Sequence, residues 1–375
     1  MKTTQTNWSA VARDIGPQFA ANAAQHDRDG TFVADNYELL KQHRMISAAV
    51  PAELGGGGAQ IDELCGMLRV LAHYCPSTAL SLSMHTHLLA AAVWKWNQGQ
   101  PAEALLRRVA AEQLVLVSTG ATDWVQSNGV MDRVEGGFRV SAWKVFASGS
   151  PVADMLITSA QYDDPDEGDL VLHFPVPFSA DGVTILNDWD TLGMRATGSH
   201  TVVFDNVFVP DSAIGLRRQR NEWHTAWSVA LAVAPPLYMS PYVGLAERAV
   251  EVATGIALGK RERPFLPYIV GEMENQLAIV RLAWRDMIAN AAEYDFAATI
   301  QTANRALIHK TICANAAIAT VEKAMEASGG RGFFRRSELE RLLRDVHAAP
   351  YHPLPEKRQL AFTGQLALGI DPVAG

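Results

Sequence analysis

The chain has 375 residues, of which 48% are hydrophobic and 19% are charged, and its formal net charge is −8. These totals are typical of a soluble globular protein with about two or three domains and a large buried fraction. The acidic balance, without a long basic run, argues against general nucleic-acid binding. Three scattered cysteines without zinc-ligand spacing favour a reducing compartment and argue against a structural metal.

Two stretches bear on membrane attachment. The first sixteen residues contain no apolar core of signal-peptide length. Residues 226–245 are strongly apolar but contain Pro235, Pro236 and Pro241, which favours a buried helix over a membrane span. We therefore expect a cytoplasmic protein that does not bind a membrane.

Residues 1–112 are predicted to be helical, because apolar residues recur every three or four positions in residues 8–27, 36–43 and 63–74. Residues 77–96 are strongly apolar and carry His85 and His87. Two histidines at positions i and i+2 do not share one helix face, so they form a poor metal pair. Two interpretations remain open: core or interface histidines, or one histidine that faces a ligand.

The pattern changes to short apolar runs in residues 113–212. Such runs occupy residues 114–119, 130–134, 137–143, 155–160, 170–176, 183–185 and 201–209, and Gly, Asn and Asp turn signals separate them. This spacing predicts a compact β barrel or sandwich. No strand and helix alternate around a GxGxxG motif, so a Rossmann domain is excluded.

Helical periodicity returns in residues 213–375, where residues 225–259, 270–295, 301–328 and 337–347 have the alanine and leucine content of a helical bundle. The predicted fold class is therefore α+β, with helices, a β domain and helices again. This order predicts three domains, at residues 1–112, 113–212 and 213–375.

The stretch 328–354 combines a glycine-rich turn with arginines, a charged helical run, and a histidine between two prolines. Glycines such as Gly329 and Gly330 allow close backbone approach, and neighbouring arginines suit an anionic ligand such as a pyrophosphate. His352 lies between Pro350 and Pro353, where a titratable ring suits a catalytic edge. The alternative is a helix connection with a solvated charged face.

Four motifs in order resemble the acyl-CoA dehydrogenase superfamily of flavoproteins, and the resemblance covers nearly the whole chain. They are PAELGGGG at 51–58, FRVSAWKVFASGSPVAD at 138–154, TLGMRATGSHTVVFDNVFVP at 191–210, and SGGRGFFRRSELERLLRD at 328–345. The resemblance implies an acyl-CoA dehydrogenase-like fold with an N-terminal helical domain, a middle β barrel or sandwich and a C-terminal helical bundle.

The resemblance also implies where a flavin binds. Phe146, Ala147 and Ser148 lie in the strand that runs beside the isoalloxazine ring, with the Ser148 hydroxyl at the N5 edge. Ser118 and Thr119, followed by residues 120–123, match the strand on the pyrimidine side of the ring.

Arg261, Gly329 and Gly330 match positions that reach the diphosphate and adenosine half of a flavin in a neighbouring subunit. The expected cofactor is FAD, with reduced FMN as the alternative. If the flavin bridges two subunits, the protein is an oligomer, and we expect a homotetramer or a homodimer.

The chain departs from the dehydrogenase pattern at the catalytic base. A glutamate usually follows the Arg-Asp pair, but here His352 stands in its place, and the alternative position near Pro235 has no acid. A branch of the superfamily with similar features uses reduced flavin and oxygen to make a C4a-hydroperoxide. That branch implies His352, Ser148 and a histidine of residues 77–96, taken as His87, as catalytic residues.

Three hypotheses remain open at this point. The first is a flavin-dependent monooxygenase that acts on a small molecule and is supplied by a separate flavin reductase. The second is an FAD-dependent acyl-CoA dehydrogenase with a base other than glutamate, and the third is a silent flavin-binding protein. An aromatic or flat apolar substrate is suggested by ring-bearing residues near the start of the first C-terminal helix, among them Trp223, Trp227, Tyr238 and Tyr242, although such residues also serve as core.

Overall fold

The computed structural model describes residues 6–119, 123 and 125–373, and its elements follow the order helices, strands, helices. In the described N-terminal part the helices are α1 (Trp8–Asp29), α2 (Ala34–Gln42), α3 (Ile61–Ala72), α4 (Pro76–Asn97) and α5 (Glu103–Glu112). Local side chains define their ends. Asn7 accepts a hydrogen bond from the Ala10 backbone N–H at 3.0 Å at the start of α1, and Gly30 ends that helix with φ 64°.

The strands of the described residues form one mixed sheet. They are β1 (Leu116–Ser118), β2 (Val130–Val134), β3 (Gly137–Ala147), β4 (Met155–Asp164), β5 (Gly168–Pro177), β6 (Val183–Ile185), β7 (His200–Pro210) and β8 (Leu216–Gln219). The order along the sheet is β6-β7-β3-β2-β4-β5-β8. β1 and β2 both pair in parallel with one edge of β4, at successive positions along it, and β5 pairs with the other edge.

An irregularity between β3 and β7 shapes the end of β3. Their register shifts between Lys144 and Ala147, and Phe146 adopts φ 59° there, in the left-handed region. An irregularity of this kind bends a strand and changes the direction of its side chains. It directs Phe146 and then Ser148 toward the space between the sheet and the helices.

β8 was not predicted from the sequence. It consists of Leu216, Arg217, Arg218 and Gln219 and pairs antiparallel with β5. The Arg218 side chain is buried, and its Nε donates to His173 Nε2 at 2.9 Å. A strand whose inward side chain is an arginine lacks the apolar alternation by which strands are recognised in a sequence.

The C-terminal helices of the described residues are α6 (Thr225–Leu258), α7 (Leu266–Ala291), α8 (Ile300–Ser328), α9 (Gly330–Phe333), α10 (Glu338–Val346) and α11 (Glu356–Ala367). α6 is long and apolar enough to cross a membrane, but 94% of its most apolar window is buried inside the protein. The α+β prediction, with helical, β and helical regions in that order, is confirmed.

Glu247 on α6 joins the two helical regions. Its carboxylate lies 2.6 Å from Arg69 Nε on α3 and 2.8 Å from Arg281 Nε on α7, and His73 Nε2 is 3.3 Å away. Burial alone would raise the pKa of Glu247, but the hydrogen bonds from His73 and Arg69 lower it to about 2. The carboxylate therefore stays charged at neutral pH and ties α6 to the N-terminal helices.

Candidate active site

A cavity of about 720 Å³ lies where α4, the sheet, α6 and residues 347–353 meet. Its helical walls are mainly apolar, and most of its polar groups are hydroxyls on the sheet side. This combination of a large apolar volume with a few convergent polar groups is typical of small-molecule sites. Its lining includes residues far apart in the sequence, such as Met84, His87, Ser118, Phe146, Ser148, Trp227, Tyr238 and His352.

His85 is a structural residue of α4. Its side chain is buried, and its Nε2 lies 2.8 Å from the backbone oxygen of Ile46. Its Nδ1 accepts a hydrogen bond from the Leu116 backbone N–H at 2.9 Å. His85 thus joins α4 to the preceding loop and to β1, and it does not line the cavity.

His87 faces the cavity from α4. Its Nδ1 lies 3.3 Å from the Ser83 backbone oxygen, and its Nε2 lies 3.3 Å from Ser118 Oγ. Because a carbonyl oxygen only accepts, Nδ1 carries the proton and Nε2 accepts from the Ser118 hydroxyl. Burial lowers the pKa of His87 to about 4, so the imidazole is neutral at physiological pH and retains a basic nitrogen.

His352 enters the cavity from the segment that follows α10. Its Nε2 is 2.8 Å from Tyr242 Oη, and its ring stacks on Tyr238 with centroids 4.8 Å apart. Tyr238 donates its hydroxyl to the Pro353 backbone oxygen at 3.1 Å. Burial, followed by the charges of nearby basic groups, lowers the pKa of His352 to about 3. The imidazole is therefore neutral, and two tyrosines fix its orientation.

Lys310 on α8 supports the segment that carries His352. Its side chain is 1% exposed, and its Nζ donates to the backbone oxygen of Leu354 at 2.8 Å and lies 3.5 Å from that of Pro350. Burial lowers the pKa of Lys310 to about 8, so the amine remains largely protonated at neutral pH. Its positive charge is one cause of the low pKa of His352.

Replacing Lys310 with methionine should lower the free energy of unfolding by about 1–3 kcal/mol, because two buried backbone oxygens lose their donor. It should also raise the pKa of His352, since a neighbouring positive charge disappears. Chemical denaturation measures the first effect, and NMR titration of the imidazole measures the second. Lys310→Gln keeps a donor and removes the charge, so it should retain most of the stability and still raise that pKa.

Lys323→Met is the matched control, because this α8 lysine is paired with Glu272 and Glu326 on the surface. Surface pairs contribute about 0–1 kcal/mol, so this variant should unfold nearly as the unmodified protein does. An unchanged pKa of His352 in both Lys310 variants would show that the lysine does not act on the imidazole.

A chain of hydroxyls borders the cavity at the end of β3. Ser148 Oγ lies 2.7 Å from Ser199 Oγ, which lies 2.7 Å from Thr197 Oγ1. Thr197 Oγ1 in turn donates to the backbone oxygen of Met194 at 2.9 Å. The Ser148 hydroxyl, which faces the cavity, is thus connected to a buried hydrogen-bond network.

Two aromatic side chains lie next to this chain. The ring of Phe146 meets that of Trp189 edge to face, with centroids 5.8 Å apart and an interplanar angle of 81°. Trp189 Nε1 donates to the Met194 backbone oxygen at 3.0 Å, so the indole is held in place. Both side chains line the cavity and present apolar surface at its edge.

A buried ion pair underlies the polar wall of the cavity. Lys144 Nζ donates to Asp123 Oδ1 at 2.6 Å and to the Ser159 backbone oxygen at 2.6 Å. Asp123 also accepts hydrogen bonds from the hydroxyls of Thr119 and Thr158. The carboxylate is therefore occupied by neighbours of its own wall.

Acidification should destabilise the protein below about pH 6.5. Burial lowers the pKa of His85 and His87 to about 4 and of His173 and His352 to about 3, whereas unfolding returns each to its ordinary value near 6.5. The unfolded chain therefore binds more protons, and stability falls as pH drops from about 6.5 toward 4. The raised pKa of Asp345, about 6, and the pKa of Glu293, which burial also raises, act in the opposite sense, but they are two groups against these four histidines.

Urea denaturation between pH 7.5 and 4.5 measures this effect. We expect a loss of at least about 2 kcal/mol in the free energy of unfolding, since a tenfold change in one acid dissociation constant corresponds to about 1.4 kcal/mol. His85→Asn should reduce the slope if it still folds. A free energy that is constant over this pH range would contradict the prediction.

Six predicted site residues meet in the cavity: His87, Ser118, Thr119, Phe146, Ser148 and His352. Ala147 is buried beside them without lining the cavity, and residues 120–122 lie outside the described residues. The cavity lining does not include Arg261, Gly329 or Gly330. The Arg261 side chain is 76% exposed. The neighbouring Lys260 Nζ donates to the Ser328 backbone oxygen, and this contact brings the segments of Arg261 and Gly329 together.

Several residues that shape the cavity were not predicted from the sequence, above all Lys310, Lys144 and Trp189. A signal existed for Lys310, because it falls on the apolar face of α8 with Leu307 and Ala314 at helical spacing. Lys144 follows the buried residues Phe138, Val140 and Ala142 at two-residue spacing in β3, which also places it on the inward face.

Known proteins are similar to this chain over most of its length. The family model described as the acyl-CoA dehydrogenase N-terminal domain matches residues 4–113, and the model of the C-terminal domain matches residues 237–355. A relative from a Micromonospora species, L-evernosamine nitrososynthase, is 29% identical over 95% of this chain and 88% of its own length. A dibenzothiophene monooxygenase from Mycolicibacterium goodii is 25% identical over 96% of this chain and 92% of its own.

A solved structure of KijD3 in complex with FMN and dTDP-3-amino-2,3,6-trideoxy-4-keto-3-methyl-D-glucose has the same fold. Its TM-score is 0.88 at 26% identity, over 100% of this chain and 97% of that one. The two family models together span most of the chain, and the motifs of residues 51–58 and 328–345 lie within them. The chain therefore belongs to the acyl-CoA dehydrogenase superfamily of flavin-dependent oxidoreductases, in which its homologues include nitrososynthases and flavin monooxygenases.

Proposed function

We propose that this protein is a monooxygenase that uses reduced flavin and O₂ to oxygenate a small molecule. The observation that carries the proposal is that the cavity lining offers imidazoles as proton acceptors, among them the neutral His87 and His352; His173 and His347 line it as well. Among the described lining residues the one carboxylate is Asp123, which is paired with Lys144. The cavity therefore lacks a free carboxylate that could abstract a proton next to a thioester. A neutral imidazole, by contrast, can accept a proton from a substrate nitrogen, oxygen or sulfur.

The cavity suits a flavin ring by the hydroxyl oxygens on one of its sides. Hydroxyls of Ser118, Thr119, Ser148 and Thr158 lie along the sheet side, where a ring with a polar edge finds partners, and the helical side offers apolar contacts. When bound, reduced flavin would supply the electrons and the oxygen activation that the reaction requires. The volume of about 720 Å³ leaves room for a second small molecule beside a flat ring.

The chain's own residues would handle the substrate and its proton. His352 would accept the proton at the edge of the cavity, with its ring oriented by Tyr238 and Tyr242. His87 presents Nε2 from the opposite helix, α4, and Phe146 would shield the flavin edge from water. Ser148 would contact the N5 edge of the ring.

We further propose that the cofactor is FADH₂ or reduced FMN delivered by a separate reductase, and that the enzyme is a cytoplasmic homotetramer or homodimer. Support for an oligomer comes from the position of Arg261, Gly329 and Gly330, which lie away from the cavity of their own chain. Next to them, Phe333 and Phe334 are 82% and 54% exposed, as expected of side chains that a second subunit covers.

The test has two arms with the same purified protein. In the first, anaerobic protein loaded with reduced FMN or FADH₂ is mixed with oxygen, and the flavin spectrum is followed for a transient adduct. In the second, oxidised flavin on the protein is mixed anaerobically with a panel of acyl-CoA thioesters. Bleaching of the flavin by a thioester would contradict the monooxygenase proposal and favour a dehydrogenase. If the protein binds neither form of flavin, both activities are excluded.

A further inference from the structure

The hydroxyl chain at the end of β3 has a defined direction. Thr197 Oγ1 is 2.9 Å from the Met194 backbone oxygen, and that contact is a hydrogen bond only if threonine donates, because a carbonyl oxygen has no proton. The single hydroxyl proton of Thr197 is thereby used. The contact of 2.7 Å between Thr197 and Ser199 must then be donated by Ser199.

The same argument applies one step further along the chain. Ser199 has given its proton to Thr197, so the contact of 2.7 Å between Ser148 Oγ and Ser199 Oγ must be donated by Ser148. The proton of Ser148 therefore points away from the cavity, and its oxygen lone pairs remain available on the cavity side. In this arrangement Ser148 accepts hydrogen bonds from a ligand and does not donate them.

The acceptor at the end of the chain is firmly held. The Met194 backbone oxygen also receives Trp189 Nε1 at 3.0 Å, and the Met194 N–H donates to the buried Asp345 carboxylate at 2.5 Å. Thr197 and Ser199 are themselves buried, at 0% and 5% exposure, so bulk water has little access to their hydroxyls. Reversing the direction of these hydrogen bonds would require breaking the hydrogen bond from Thr197 to the Met194 backbone oxygen.

We propose that Thr197 and Ser199 are positioning residues that make Ser148 a hydrogen-bond acceptor toward the cavity, and that the site thereby prefers reduced over oxidised flavin. Reduced flavin carries a proton on N5 and donates there, whereas N5 of oxidised flavin only accepts. Two acceptors facing each other leave a buried lone pair unsatisfied, which costs binding free energy. The inference rests on the proposed function, because it needs the N5 edge to lie at Ser148.

The experiment measures dissociation constants rather than turnover. Oxidised FMN and dithionite-reduced FMN are each titrated into the protein anaerobically, and the ratio of the oxidised to the reduced constant is the readout. In Ser199→Ala the Ser148 proton becomes free to turn toward the cavity, and in Thr197→Val the Ser199 proton can turn back toward Ser148. Both variants should lower the ratio by about 3- to 10-fold, the size of one hydrogen bond.

Two controls separate this effect from general damage. Ser150→Ala removes a buried hydroxyl that donates to the Gly198 backbone oxygen at 3.0 Å but does not line the cavity, so the ratio should be unchanged. In a Ser148→Ala background, Ser199→Ala should have no further effect on the ratio. Thermal unfolding of each variant shows that the fold is retained.

The outcomes are distinct for the two proposals. If the unmodified protein binds neither form of flavin, the proposed function fails and this inference fails with it. If flavin binds but the ratio is the same in the unmodified protein, Ser199→Ala and Thr197→Val, the inference alone is overturned. A lower ratio in both variants, absent in Ser150→Ala, supports it.

Discussion

Replacing His352 with alanine should lower turnover by at least about 100-fold, because a positioned proton acceptor contributes about 10²- to 10⁴-fold to a rate. Its imidazole is neutral, since burial lowers its pKa to about 3, and Tyr242 and Tyr238 hold its orientation. The binding of reduced flavin should change little, so the loss should lie in kcat rather than in cofactor affinity. Rapid-mixing kinetics and flavin titration measure the two quantities separately.

Two further variants sharpen this prediction. Tyr242→Phe removes the hydroxyl that lies 2.8 Å from His352 Nε2 and keeps the ring, so turnover should fall by less, about 10-fold. His309→Ala changes a histidine of α8 that pairs with Asp286 outside the cavity and should leave turnover unchanged. Full turnover in His352→Ala would remove this residue from the mechanism.

Replacing Lys144 with methionine should lower the free energy of unfolding by about 3–5 kcal/mol, because it leaves the buried carboxylate of Asp123 without its counter-charge. The lysine is 0% exposed, and its Nζ also donates to the backbone oxygens of Asn128 and Ser159. Burial lowers the pKa of Lys144, while Asp123 acts to raise it, so the pair depends on both partners. Chemical denaturation measures the loss.

A double-mutant cycle distinguishes a broken pair from a damaged core. Lys144→Met combined with Asp123→Asn removes both charges, and this double variant should be more stable than Lys144→Met alone. Lys357→Met is the control, because its side chain is 87% exposed and its partner Glu356 lies next to it in the sequence. If the double variant unfolds as readily as the single one, the stability does not come from the ion pair.

These two predictions concern residues that the sequence revealed to different degrees. The sequence points to His352 because it stands where the superfamily usually has its catalytic base, and in the structure it lines the cavity with His87 and Ser148. Lys144 lay within a matched motif, but no pattern indicated that Asp123 would be its partner. A motif reports which residue occupies a position, whereas an ion pair depends on how two distant segments approach each other.

The sequence by itself determined the order of helical and β regions, most helix and strand positions, and the superfamily. These features follow from periodicity and from capping and turn residues, which act between neighbours in the chain. It left open which histidine of α4 faces the cavity, since His85 and His87 differ only in their direction around the helix axis.

Only the tertiary structure decided which histidine of α4 faces the cavity and which other functional groups meet there. Packing turned His87 toward Ser118, placed Lys310 behind the segment of His352, and aligned Ser148 with Ser199 and Thr197. Apart from the contact between Ser199 and Thr197, which lie in one turn, each of these contacts joins residues of different elements or loops, and its geometry depends on side chains that fill the space between them. Local patterns select the elements, and long-range packing selects which functional groups meet.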